Sequence, residues 1–130
     1  MSTPESPRQF TLEQANAVVR AIRPLVAEIL EIRQTVIDKQ PQIWQVLEKA
    51  AGNGGSQEAS HVAWEFQRLD TRVREILATG AILKDVNTGL VDFLSMREGR
   101  PIYLCWRYGE DHIAYWHELE GGFAGRQALE

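Results

Sequence analysis

The sequence predicts an α+β fold, a long antiparallel helical hairpin followed by a four-stranded antiparallel β-meander. Three observations predict it. Apolar residues recur at alternating spacings of three and four from Ala15 to Ile76. After Gly80 the apolar period falls to two. Turn-forming segments rich in Gly and Asn separate the blocks. At 130 residues the chain is expected to form one domain, 10–130, large enough to bury a core without disulfides. Within it 10–79 reads as the helical hairpin, 80–120 as the meander and 121–130 as a C-terminal segment, with 1–9 a disordered tail carrying two Pro and two Ser.

The first helix opens at Thr11, an N-cap that pairs with Gln14 in a capping box. Its seam is Ala15, Val18, Ile22, Leu25, Ile29, Ile32 and Val36. Pro24 lies inside this seam and should bend the helix, because it removes a backbone donor and crowds the preceding turn. Pro41 is a second break, after which Ile43, Val46, Leu47 and Ala50 suggest a further helical stretch. Gly52-Asn53-Gly54-Gly55 reads as a loop. A helix from about Gln57 to Thr79 follows, with Ala59, Val62, Phe66, Leu69, Val73 and Ile76 on its seam and Gly80 as a left-handed cap. Strands at 82–86 and 90–93 flank Asn87-Thr88-Gly89, and strands at 102–108 and 113–117 flank Gly109 to His112.

Register decides which side chains meet in the second hairpin. If Tyr108 lies opposite Ile113, then Leu104, Trp106, Tyr108, Ile113, Tyr115 and His117 form a core face. Tyr103, Cys105, Arg107, Ala114, Trp116 and Glu118 then form the opposite, more polar face. That face is a candidate floor for a small anionic or planar ligand, with Tyr103, Arg107, Trp116 and Glu118 joined by Arg126 from the tail. The bland reading pairs Arg107 with Glu118 on a solvated sheet. No metal site is expected: His117, Glu118 and Asp92 are the residues that could ligate an ion, but adjacent strand residues point to opposite faces, which separates His117 from Glu118. No HExxH, paired CxxC or phosphate loop is present. No cofactor is named by the residues. Cys105 between Leu104 and Trp106 reads as a packed thiol.

The net charge of −4 argues against nonspecific nucleic-acid binding, despite Arg68, Arg72 and Arg74. The single Cys105 fits a reducing cytoplasm. MSTPESPRQ does not have the form of a secretory signal, and no apolar run is long enough for a bilayer span, so no membrane association is expected.

FTLEQANAVV near the start, with DVNTGLVDF, YLCWRYGE, WHELEGGF and FAGRQ in the last third, resembles a bacterial family catalogued only as a domain of unknown function, number 2203. The resemblance spans nearly the whole folded chain. It implies a small intracellular bacterial protein and supplies no catalytic assignment.

Helices roughly 45 Å and 35 Å long exceed what a domain this small can cover, so a homodimer through the helices is expected. The preferred reading is accordingly a non-catalytic homodimer that binds a ligand or partner. The alternative is an enzyme or metalloprotein with a site around Cys105, Arg107, Trp116, His117 and Glu118.

Overall fold

A computed structural model describes residues 8–52 and 63–129. The expectations for Ala59 and Val62, for most of the glycine loop and for most of the tail lie outside the described residues. The α+β architecture is as expected, with the helices leading and an antiparallel sheet following. Three helices are described: α1 (Leu12–Lys39), α2 (Pro41–Ala50) and α3 (Ala63–Ala78). The sheet has five strands rather than four: β1 (Ile82–Asp85), β2 (Leu90–Arg97), β3 (Arg100–Arg107), β4 (Tyr115–His117) and β5 (Gln127–Ala128). They are joined in sequence order. A 3-10 turn, Phe123–Gly125, precedes β5.

The capping box forms as read: the Thr11 side chain accepts from the Gln14 amide, and the Gln14 side chain accepts from the Thr11 amide. α1 continues through Pro24 without interruption. Pro41 starts α2 at its first turn, where a missing N–H costs nothing. The buried stripe of α1 is Ala15, Val19, Ile22, Val26, Ile29, Ile32 and Val36, so Val19 and Val26 take the places expected for Val18 and Leu25. A straight helix drifts from a strict seven-residue repeat, and the wide core face admits both rows. Leu69, Val73 and Ile76 of α3 are buried against it. Arg8 bonds the Thr79 carbonyl near the end of α3, and Glu28 bonds Arg68 nearer its start, so α1 and α3 run antiparallel. The α1 stripe is therefore covered within one chain, and Trp44 is buried too, whereas Trp64 remains exposed.

One face of the sheet packs on the helices through Val91, Phe93, Ile102, Leu104 and Trp106, with Phe10 edge-on to Phe93. The opposite face carries Asp92, Tyr103, Cys105 and Arg107. Across β3 and β4 the pairs are Tyr103 with His117, Leu104 with Trp116 and Cys105 with Tyr115. This is one residue away from the expected register. Trp116 consequently joins Leu104 on the helix face, and Tyr115 and His117 join Cys105 on the other.

The cause is the connection from Tyr108 to Ala114, which is not a tight hairpin. Tyr108 leaves the hairpin and donates to the Gly89 carbonyl in the β1–β2 turn. The Trp106 indole and Arg23 of α1 both donate to the Glu110 carbonyl, Arg23 also reaches the Asp111 carbonyl, and Asn16 accepts from the Ile113 amide. The loop is thus tied to α1, and β4 begins only at Tyr115.

Gly89 sits where this network meets α1. Its φ is +71°, and a Cβ there would lie 2.8 Å from both Tyr108 Cβ and Val26 Cγ1. Gly99 has a φ of +81° with open space around it. In urea denaturation Gly99→Ala is expected to cost about 1 kcal/mol, from backbone strain alone. Gly89→Ala should cost about 2 kcal/mol or more, because overpacking is added. Equal losses would contradict this packing.

Candidate functional site

β2, β3 and β4 each place one fully buried polar side chain on the sheet face away from the helices. Asp92 lies directly opposite Cys105, and His117 is the diagonal neighbour of Cys105, two residues beyond Tyr115. Each is at most 1% exposed. One donor atom from each, a carboxylate oxygen, the thiol sulfur and an imidazole nitrogen, lies within 4.8 Å of the others.

The hydrogen bonds fix the imidazole. Nδ1 of His117 is 2.6 Å from the Glu118 carbonyl oxygen. A carbonyl only accepts, so Nδ1 carries the proton. Nε2 is 3.0 Å from Oδ2 of Asp92, and a hydrogen bond at that distance needs a shared proton on one of the two atoms. Oδ1 of Asp92 is buried and has no partner among the described residues. Burial pushes the Cys105 thiol up to about 12, and the adjacent Asp92 carboxylate adds to the rise. Arg126 pulls it down, less strongly.

A thiol in this state is no nucleophile, since the reactive form is the thiolate. Among the described residues His117 makes no hydrogen bond to the thiol, its two ring nitrogens being directed at the Glu118 carbonyl and at Asp92. The arrangement suits metal ligation instead. Oxygen, sulfur and nitrogen donors converge, and a ligating histidine is typically oriented by a hydrogen bond from its other nitrogen to a carbonyl or carboxylate. The expectation of a purely non-catalytic binding role is overturned by this cluster, which places ligating and proton-bearing groups together in the core of the sheet face.

The other expected site residues divide. Tyr103 borders His117, their ring centroids 5.5 Å apart, with Lys84 over the phenol ring. Arg126 lies 4.0 Å over the Tyr115 ring and 4.7 Å from the Phe123 ring. Its Nη2 donates to both carboxylate oxygens of Glu110, at 2.7 and 2.6 Å. Arg107 is on the same face, two residues along β3 from Cys105, with its guanidinium over Phe123. Trp116 is on the helix face instead, beneath Arg97 and Arg100. The Glu118 carboxylate is exposed and pairs with Arg100, not with Arg107. Of the three possible ligands in a sequence that predicts no metal site, Asp92 and His117 meet, whereas Glu118 contributes only its backbone carbonyl.

Sequence reasoning missed Cys105 as a partner of His117, because the assumed register placed them on opposite faces. It also missed Glu110, read as a turn residue. A signal for the cluster was available: Asp92 stands between Val91 and Phe93 in an apolar strand, where an acid is costly unless it is engaged. Arg68, Arg72 and Arg74 are all paired with carboxylates of Glu28, Glu75 or Asp70, so they do not form a free basic stripe. No helix among the described residues is long and apolar enough to cross a membrane.

The raised thiol has a consequence for stability. Below pH 9 the thiol is protonated in both the folded and the unfolded chain, and its contribution is fully present. As pH rises from 9 towards about 12 the unfolded chain loses its proton first, so stability falls. In metal-free protein, urea unfolding of the wild type should therefore weaken above pH 9 more than that of Cys105→Ala. Parallel curves would show that Cys105 does not have this environment.

Comparison with known proteins gives a match to the family model described as "Uncharacterized conserved protein (DUF2203)", over residues 8–129. No curated protein and no solved structure matches the chain. Because the matched span takes in both the helices and the whole sheet, the chain belongs to the DUF2203 family.

Proposed function

We propose that this chain is a metalloprotein whose site is Asp92, Cys105 and His117, binding one divalent ion of the Zn2+ type. The observation that carries this reading is the convergence of three unlike, fully buried donors within 4.8 Å. Mixed sulfur, nitrogen and oxygen donors favour zinc and its neighbours over Mg2+ or Ca2+, which prefer oxygen alone. Two ligands on a tetrahedral Zn2+ lie about 3.3 Å apart. The 3.0 Å between His117 Nε2 and Asp92 Oδ2 is already close to that. The ion would replace the shared proton of this pair and the thiol proton. Three protein donors leave a coordination position for a further ligand, the arrangement that distinguishes catalytic from structural zinc sites.

Elemental analysis and native mass spectrometry of purified protein are expected to find one Zn2+ per chain. Cys105→Ser and His117→Gln should each lose it. Adding Zn2+ to metal-free wild type at about a hundred times its dissociation constant should stabilise it by about 3 kcal/mol, with no such gain in the variants. A wild type that neither retains nor is stabilised by Zn2+, Co2+ or Ni2+ would refute the reading.

A further inference from the structure

Two buried polar atoms on this side of the sheet have no hydrogen-bond partner among the described residues, Oδ1 of Asp92 and Nε of Arg126. The first is an acceptor in the cluster itself. The second is a donor on a guanidinium held over Tyr115, and Tyr115 lies directly opposite Cys105. Buried groups left without partners call for a ligand, an ion or water that satisfies them.

Arg126 has the properties of an anion anchor whose position is fixed in advance. The Tyr115 and Phe123 rings hold the guanidinium plane. Glu110 engages Nη2 alone, which orients the group and leaves the Nε–H unspent. The Arg126 side chain is 11% exposed and its Nε is buried, so the Nε–H acts in a largely dry environment. We propose that Arg126 anchors a small monocarboxylate, which approaches the Asp92, Cys105 and His117 site from the outer face of the sheet.

Charge selects the class. With a divalent ion bound, Asp92 and the Cys105 thiolate cancel it, and Glu110 cancels Arg126. A carboxylate then adds one negative charge, whereas a phosphate dianion adds two beside Glu110 and is disfavoured. Phe123, which contacts Arg126, also lines a cleft of about 190 Å³ with Asp85, Thr88, Leu90 and Arg107, and the body of the ligand would extend into it. Leu90 and Arg107 pair two residues along the ladder from Asp92 and Cys105. Arg107 adds a second positive charge to the lining of that cleft, and Asp85 in the same lining opposes a second carboxylate. The contact to the ion rests on the metalloprotein reading. The contact to Arg126 does not.

The test uses the full chain loaded with Co2+ and titrated with sodium acetate. Acetate should change the visible Co2+ spectrum saturably at concentrations on the order of millimolar. Inorganic phosphate should need at least about tenfold more. Arg126→Lys keeps the charge but lacks the Nε–H, and should weaken acetate binding about tenfold or more while still holding one Co2+. An unchanged spectrum with acetate, or equal binding by Arg126→Lys, would overturn the proposal. If Co2+ does not bind or the variant fails to fold, acetate is titrated onto metal-free wild type while the arginine Nε–H resonances are followed. A saturable shift of the Arg126 signal supports the anchor even where the metal reading has failed, and its absence refutes the anchor.

Discussion

Cys105 lies opposite Tyr115 across the β3–β4 ladder, and this pairing decides which side chains can meet. Had it lain opposite Trp116, His117 would face the helices and the indole would face the thiol. The pairing is not set by β4 itself, which is only three residues long. It is set by the loop before it, which α1 holds through Arg23 and Asn16 and which Tyr108 and Gly89 tie to the β1–β2 turn. The helices thus do more than cover the sheet. They fix the register that assembles the cluster on its far side.

That cluster is expensive to build. An acid, an imidazole and a thiol are taken out of water together, and each buried polar group left without a partner costs about 1–3 kcal/mol. The His117 nitrogens recover part of this through the Glu118 carbonyl and Asp92. Oδ1 of Asp92 and Nε of Arg126 have no hydrogen-bond partner of their own among the described residues. A fold selected for stability alone would fill this face with apolar side chains, as the helix face is filled. The incomplete satisfaction of the polar groups is what distinguishes a place for ligands from an ordinary core network.

Most of the architecture was legible in the residues. The capping box at Thr11, the helical seams and the change of period after Gly80 follow from local rules, and among the described residues each has its counterpart in the structure, with Val19 and Val26 in place of Val18 and Leu25. Trp116 and Glu118 were misplaced for one reason. A slip of one residue flips every side chain of a strand, and the length of the 108–114 connection is set by tertiary contacts that leave little trace in local sequence. β5 was missed because a two-residue strand has no periodicity to read. Asp92 and His117 were legible as candidate ligands by type alone. That Cys105 completes them depends on register, and that Arg126 is clamped by Glu110 depends on the loop and the C-terminal segment meeting.

The central claim is that oxygen, sulfur and nitrogen from three adjacent strands converge on one ion. X-ray absorption at the zinc edge of the Zn2+-loaded chain tests it most directly. The account predicts one sulfur at about 2.3 Å together with nitrogen and oxygen neighbours at about 2.0 Å. A shell of nitrogen and oxygen alone, with no sulfur, would contradict it.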